Sequence, residues 1–327
     1  MTVSIIIAVK AWQKNLEECV AKCGELAYPD FEIIILPDEQ IGTFLIDQAR
    51  AKLTRNVPVS VVPTGPVTPA KKRDIAVTYA KGEILAFLDD DAYPVKDWLR
   101  NAVKNFFDPE VAAVGGPAVT PESDSDLNKA SGLIYSSFMV SGTFRYRYLP
   151  GKRREVEDYP SCNFLVRKSA MEKLGGFNTN FWPGEDTKLC LDIVYKLKKK
   201  IIYDPNALVY HHRREVFAGH LKQIASYALH RGYFVKKYPE TSFKLSYFIP
   251  SLFLIGLAGG FILSQIFLPF RIVYFSVILL YTVLALGTSL SHKLHLIPVV
   301  TLGIILTHLT YGFYFLKGLI SGRLREE

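Results

Sequence analysis

The sequence predicts an α/β domain, a mostly parallel sheet flanked by helices, followed by a C-terminal transmembrane helical region. Three observations carry that prediction. Strand-like and helix-like segments alternate from Val3 to Leu88, the pattern that builds a parallel sheet with helices on both faces. The apolar run Ile84-Leu85-Ala86-Phe87-Leu88 ends in Asp89-Asp90-Asp91, as a buried parallel strand does where its carboxyl end opens into a crevice. From Leu245 to Leu316 the only Lys or Arg residues are Arg271 and Lys293, and Asp and Glu are absent. In a chain of 327 residues this gives a domain over 1–240 and a membrane region over 241–327, with about three apolar helices and a short basic tail.

The elements follow in order. Thr2–Val9 is apolar but short, with no basic residue before it and no small-residue cleavage pattern. It therefore reads as a first strand, Val3–Val9, and not as a signal peptide, which leaves the domain in the cytoplasm. Asn15–Glu25 reads as a helix, Phe31–Leu36 as a second strand ending at Pro37-Asp38, and Ile41–Leu53 as helical. Val59–Val62 is a third short strand, Ala70–Ala80 a helix, Ile84–Leu88 the fourth strand, and Ala92-Tyr93-Pro94 a turn. Pro121–Tyr159 reads as irregular. Its aromatics and cations, Phe144-Arg145-Tyr146-Arg147-Tyr148 and Lys152-Arg153-Arg154, suit an acceptor-gating loop, a lipid-phosphate contact or a mobile surface loop alike. Phe181-Trp182-Pro183-Gly184 forms a turn, and Glu185-Asp186 opens a helix over Thr187–Lys198. Ala207–Tyr210 is strand-like, with His211 following it.

Each Lys or Arg at the centre of a membrane helix costs roughly 2.5–3.5 kcal/mol, while each Leu, Ile or Phe returns only about 0.3–0.6. Arg271 and Lys293 therefore belong at membrane boundaries. They separate Tyr247–Leu268, Ile272–Ser289 and Leu296–Leu316, each near the roughly 20 residues that span a bilayer. Arg231, Lys236, Lys237 and Lys244 precede the first segment, as positive-inside placement expects. Three full spans would put Lys317, Arg323 and Arg325 outside; an interfacial or re-entrant segment would not.

The net charge of +8 raises nucleic acid as a partner. Zinc-finger spacing, a helix-turn-helix signature and RNP-like aromatics are all absent, so nucleic acid is not expected. Anionic membrane lipids are the simpler counterpart. Of the four cysteines, Cys19 and Cys23 stand at helical spacing without a second pair, so reduced structural thiols are expected rather than a zinc site. No Gly-x-Gly-x-x-Gly follows the first strand and no Walker A sequence appears, which argues against a nicotinamide dehydrogenase or a P-loop protein.

Carboxylates one residue apart at a strand end, Asp89 and Asp91, suit a hard divalent cation, and a cation held there neutralises a diphosphate. Asp186 at a helix start reads as a general base or as a helix cap. Gln223, Tyr227 and Arg231 share one helix face. With Trp182 they are acceptor-side or lipid-side candidates, although an amphipathic helix packed on the domain gives the same spacing.

Four features in order resemble the family 2 glycosyltransferases of the GT-A fold, over about residues 1–240. They are Pro37-Asp38, Lys72-Arg73-Asp74, Leu88-Asp89-Asp90-Asp91, and Gly175-Gly176-Phe177 with Gly184-Glu185-Asp186. Lys10-Ala11-Trp12 and Pro37-Asp38-Glu39 depart from the family pattern, as does Asp74 where Asn is common. These departures bear on base and ribose recognition rather than on reaction class. The resemblance implies a nucleotide-sugar donor, an acceptor that is a lipid-linked saccharide or other glycan, and inversion by single displacement. It implies that Asp38 meets the base or ribose, that Arg73 approaches the diphosphate, and that Asp89 and Asp90 lie on the donor side. Asp91, with Asp89 and His211, would hold Mg²⁺ or Mn²⁺. Asp186 would be the base, with Glu185 positioning the loop or the acceptor. A polyprenyl-phosphate sugar synthase is the alternative enzyme, and an inactive membrane scaffold the alternative of another class.

Overall fold

The computed structural model describes residues 1–42, 45, 50, 51, 53, 56–290 and 293–326. Of the helix expected over Ile41–Leu53, residues 43, 44, 46–49 and 52 lie outside that description. In chain order the first elements are β1 (Val3–Ala8), α1 (Lys14–Gly24), β2 (Phe31–Leu36), β3 (Val59–Val61), α2 (Pro69–Tyr79), β4 (Ile84–Asp89) and β5 (Ala92–Pro94). Next come α3 (Trp98–Val103), β6 (Val111–Gly115), β7 (Ala118–Val119), α4 (Asp126–Ser136), β8 (Arg154–Val156), β9 (Asn163–Arg167), α5 (Lys168–Leu174) and α6 (Glu185–Leu191). Then follow β10 (Lys200–Tyr203), β11 (Val209–His211), α7 (Ala218–Lys237), α8 (Leu245–Ile266), α9 (Leu268–Ser289) and α10 (Ile297–Ile320). They form two compact units, one built from Met1–Val119 and Tyr146–His212, the other from Thr120–Arg145 and Arg213–Arg325.

The first unit is a mixed sheet in the order β3-β2-β1-β4-β9-β6-β10-β8. The pairs β3–β2, β2–β1, β1–β4 and β6–β10 are parallel, while β9 runs antiparallel to both β4 and β6. Apart from Ser4 and Glu32, the runs Val3–Ala8 and Phe31–Leu36 are apolar on both faces because helices cover both faces. Within them Ser4 donates to Glu32 at 2.7 Å, and Glu32 accepts from the Lys81 amide at 2.7 Å, so these buried polar groups are satisfied. Helix α1 packs Leu16, Cys19, Val20 and Cys23 onto this core at helical spacing. Both cysteines are buried free thiols. Helix α2 starts at Pro69 behind Thr68, whose hydroxyl accepts from the Lys71 amide at 3.4 Å.

Three expectations are corrected. Ala92-Tyr93-Pro94 is not a turn but strand β5, paired antiparallel with β11 in a second sheet ordered β5-β11-β7. Pro94 is tolerated because β5 is an edge strand of that sheet. His211 therefore ends a strand rather than following one, and it stands opposite Ala92. Pro121–Tyr159 is not irregular throughout. It holds α4, which begins where the Ser125 hydroxyl accepts from the Asn128 amide at 3.2 Å, and β8. The helix expected to run to Lys198 opens behind Gly184, whose φ of 114° favours glycine, and passes after Leu191 into a π turn over Asp192–Lys196.

In the second unit, three helical stretches among the described residues are long and apolar enough to cross a membrane by length and composition: Leu245–Ile266, Leu268–Ser289 and Leu294–Ile320. The first break falls at Phe267 rather than at Arg271. Pro269 fits the first turn of α9, and Arg271 reaches back to the Ser264 carbonyl at 2.8 Å.

Candidate active site

The parallel strands end level with one another: Ala8 of β1 stands opposite Leu36 of β2 and opposite Asp89 of β4. Crevices at such ends are where α/β sheets bind ligands. Lys72, only 3 % exposed, ties these ends together. Its ammonium donates to the Val9 carbonyl at 2.7 Å, to the Leu36 carbonyl at 3.1 Å and to the Asp38 carboxylate. Asp38 is thus held at the rim by a buried cation.

Past β4 the chain folds into β5, and the β5–β11 ladder brings His211 beside Asp91. The Asp91 carbonyl accepts from the His212 amide at 2.9 Å, and His211 Nε2 lies 3.0 Å from Asp91 Oδ1. Asp89, Asp91 and His211 offer ligand atoms that all lie within 4.8 Å of one another. Two carboxylates and an imidazole fit Mg²⁺ or Mn²⁺ by donor chemistry. Asp90 stands outside this trio and accepts from the Gln13 amide group. Burial, then the charges of Asp91 and Asp89, pushes its pKa up to about 7.

Arg73, also 3 % exposed, is the bridge between the strand end and α6. Nη2 donates to Asp89 at 2.8 Å and Nη1 to Glu185 at 3.0 Å. The rings of Phe87 and Phe177 lie 5.9 and 5.7 Å from its Cζ. Burial pushes its pKa down, but the charges of Asp89, Glu185 and Asp186 outweigh that and raise it above the ordinary value. Glu185 is 5 % exposed and also accepts from the Ser161 hydroxyl at 3.4 Å. Asp186 is half-buried and accepts from the amides of Thr187 at 2.7 Å and Ser161 at 3.4 Å. A continuous polar chain, Asp89–Arg73–Glu185–Ser161–Asp186, therefore links the donor-side and acceptor-side candidates.

Asp74 serves the scaffold of this chain. It accepts from the Phe177 amide at 2.7 Å, and a Cβ on Gly176 would lie 2.3 Å from its Oδ1. Gly176 has φ +84°, so the Gly-Gly-Phe turn needs glycine there on both counts. Burial pushes the Asp74 pKa up against the hydrogen bonds from the Phe177 and Asn178 amides. Trp182 stands just before α6 and is 54 % exposed.

Gln223, Tyr227 and Arg231 belong to α7 in the second unit. Gln223 donates to the Tyr227 hydroxyl at 2.9 Å and accepts from that of Tyr135 at 3.1 Å. Arg231 lies over the Tyr247 ring at 4.8 Å and donates to Ser242 at 3.2 Å. Sequence reasoning missed Ser161, which precedes β9 without any motif, and the triple anchoring by Lys72.

Residues 4–175 match the model of the family described as glycosyl transferase family 2. The chain belongs to that family. Among the relatives of this family 2 glycosyltransferase is the pre-mycofactocin glycosyltransferase of Mycobacterium tuberculosis, 30% identical over 146 residues. That match covers 45% of this chain and 30% of the relative, so the chain spans about a third of that protein's length. The glycosyltransferase AglE of Haloferax volcanii is 26% identical over 203 residues, covering 60% of this chain and 63% of that one. Among solved structures, the mannosyltransferase PcManGT of Pyrobaculum calidifontis, in complex with GDP-Man and Mn²⁺, superposes with TM-score 0.56 at 20% identity, covering 98% of this chain and 88% of that one. GalNAc-T7 with UDP, GalNAc and Mn²⁺ gives TM-score 0.51 at 16% identity, over 75% of this chain and 51% of its own. At these identities the likenesses establish the fold, which is GT-A.

Proposed function

We propose that this chain is a membrane-anchored, inverting glycosyltransferase that moves a sugar from a nucleotide-diphosphate sugar to a hydroxyl of a lipid-linked saccharide or other cell-surface glycan precursor. The observation that carries the reading is the polar chain from Asp89 to Asp186, with Asp91 and His211 gathered at its donor end. Residues 1–240 carry the chemistry and 241–327 the membrane attachment, with the chemistry on the cytoplasmic face of the cell membrane. The exposed apolar surfaces of α8 and α9 support the attachment, and Arg231, Lys236, Lys237 and Lys244 before α8 support the orientation.

Asp89, Asp91 and His211 would hold Mg²⁺ or Mn²⁺, which supplies positive charge to the departing diphosphate when bound. Asp38 hydrogen-bonds the donor base or ribose, its carboxylate oriented by Lys72, and Asp90 adds to the donor side. Arg73 acts by holding the Asp89 carboxylate while Glu185 holds Arg73, so both are positioning residues. Asp186 takes the proton of the acceptor hydroxyl on a carboxylate oxygen. The Ser161 and Thr187 amides keep that carboxylate oriented toward its task. Trp182 lies on the acceptor side. The relatives and fold neighbours, which include enzymes solved with GDP-Man or with UDP and GalNAc, support a nucleotide-sugar donor.

The test is single-turnover transfer and calorimetric donor binding on one preparation of each variant. Asp186→Asn should bind donor normally and lose about 10²–10⁴-fold in transfer, the usual contribution of a general base. Asp91→Ala should lose cation-dependent donor binding and nearly all transfer while staying folded. Normal, EDTA-sensitive transfer by Asp91→Ala would sink the metal assignment. A weak effect of Asp186→Asn beside a strong effect of Asp91→Ala would move the acceptor to a polyprenyl phosphate, whose oxygen needs no base. Mass spectrometry of the linkage, phosphodiester or glycosidic, then separates the two.

A further inference from the structure

Length and composition admit α10 as a third membrane span, but its packing partner does not. Among the helices of the second unit, α10 lies beside α7 and runs parallel to it. His220 of α7 meets Thr307 of α10, Nε2 to Oγ1, at 2.9 Å. Further along, Lys236 donates to the Ser321 carbonyl at 2.6 Å. Between these points the two backbones touch. A Cβ on Gly232 would lie 2.1 Å from the Phe315 carbonyl oxygen, and one on Gly318 would lie 2.0 Å from that of Leu229. The contact thus extends along about 20 Å of both helices. Helix α7 carries Lys222, Arg231, Lys236 and Lys237 as well as Gln223 and His230. Lys222, Lys236 and Lys237 are exposed. A helix so charged does not cross hydrocarbon, and α10 follows its course.

The way α10 meets the α8–α9 hairpin agrees. Ser251 of α8 donates to the Gly312 carbonyl at 3.0 Å, Tyr281 of α9 bonds His308 at 2.8 Å, and Thr301 donates to Ser289 at 3.0 Å. These partners lie in the opening turns of α8 and the closing half of α9, the open end of the hairpin. Toward its tip the two arms hold each other: Tyr274 donates to the Leu257 carbonyl at 2.9 Å and Arg271 to that of Ser264 at 2.8 Å. There Phe261, Ile262, Ile266, Ile272 and Val273 are all more than half exposed. In the most apolar window of the third stretch 39% is buried, against 6% and 11% in the other two. Each hairpin arm has 22 residues, enough for the hydrocarbon core.

The cations sit as a surface helix requires. Lys236 and Lys237 lie 5.5 and 5.9 Å from the Tyr233 ring, and Lys317 lies 5.7 Å from that of Tyr314. Such amphipathic rings beside cations sit at headgroup level. From this we infer that, of the three apolar helices among the described residues, α8 and α9 cross the bilayer while α10 lies with α7 along one membrane surface. The tail bearing Lys317, Arg323 and Arg325 stays on the face from which α8 departs, against anionic headgroups.

One added cysteine at a time in the 327-residue chain tests this with a membrane-impermeant maleimide on sealed vesicles of one orientation. Gly322→Cys reports the tail, where an added Cβ meets nothing within 4 Å. Glu240→Cys reports the face before α8, and Gln265→Cys reports the hairpin tip. All three positions are exposed in sequence contexts outside the buried core, and the unsubstituted chain serves as the blank for Cys162. Gly322→Cys and Glu240→Cys should label together from one side, with Gln265→Cys labelled only from the other or after permeabilisation. Labelling of Gly322→Cys with Gln265→Cys would make α10 a third span and overturn the inference. Labelling of all three from one side would overturn it too, because the hairpin would not cross.

Discussion

In the sheet unit, Lys72 and Arg73 are both buried, and both end on carboxylates: Asp38 for one, Asp89 and Glu185 for the other. In the helical unit the fully buried His220 ends on two hydroxyls, Ser131 at 2.8 Å and Thr307 at 2.9 Å. Lys72, Arg73 and His220 each find partners for their buried polar atoms, Arg73 Nε excepted, but with different chemistry. Charges buried in pairs are expensive to desolvate and are a weak source of net stability. They are worth keeping where a carboxylate must be aimed at a ligand. Neutral hydroxyl and imidazole groups join helices without asking the surroundings to solvate a charge. The difference sets the paired charges at the sheet end apart from the neutral packing contacts of the helical unit.

The largest expected effect breaks the charged side of this comparison. Arg73→Met leaves Glu185 and Asp89 without their shared cation, and loss of one partner from a buried pair costs roughly 3–5 kcal/mol. Chemical denaturation should show that loss, and Arg73→Met/Glu185→Leu should recover much of it. A single variant as stable as the parent would mean the bridge is not closed in solution.

Next comes acid. Burial, helped by the positive charge of Arg213, pushes the His220 pKa down to about 4, below its ordinary value near 6.5. The fold therefore holds the imidazole neutral while the unfolded chain protonates. The stabilisation is complete above about 6.5 and is lost as pH falls toward about 4, amounting to roughly 3 kcal/mol at most. Thermal unfolding in detergent should follow that window, and a His220→Leu chain should lack this component. Identical pH profiles for the two chains would remove His220 from the account.

The smallest effect is that of His220→Leu at neutral pH. Ser131 loses a partner outright, whereas Thr307 still donates to the Gly303 carbonyl at 2.7 Å. One hydroxyl left wanting costs about 1–3 kcal/mol. A shift as large as that of Arg73→Met would erase the distinction between the two regions.

Much of the sheet was legible because β1, β2 and β4 are short runs that are apolar save for Ser4, Glu32 and Asp89, which suits strands covered on both faces. Strand β5 was not, since Ala92-Tyr93-Pro94 is too short for periodicity and carries a turn-forming proline. What makes it a strand is a partner far away in sequence. The same pairing explains why His211 was foreseen as a ligand candidate but not as a strand residue. Asp89, Asp91, Arg73 and Glu185 announced themselves by motif. That Arg73 joins Asp89 to Glu185 depends on where α2 and α6 pack, and local spacing is silent on that. Helix α4 was hidden by its mixed composition, although Ser125 three residues before Asn128 was a readable cap.

The ladder between β5 and β11 also carries a consequence in time. Asp91 leaves the ribosome long before His211, and at about 5–20 residues per second the gap is on the order of ten seconds. Through that interval the nascent sheet edge carries three adjacent carboxylates with no imidazole to complete the cluster. Only when β11 docks does the cluster close. The hairpin beginning at Leu245 emerges later still, so the order of synthesis lets the Asp89–Asp91–His211 corner close before α8 and α9 are made.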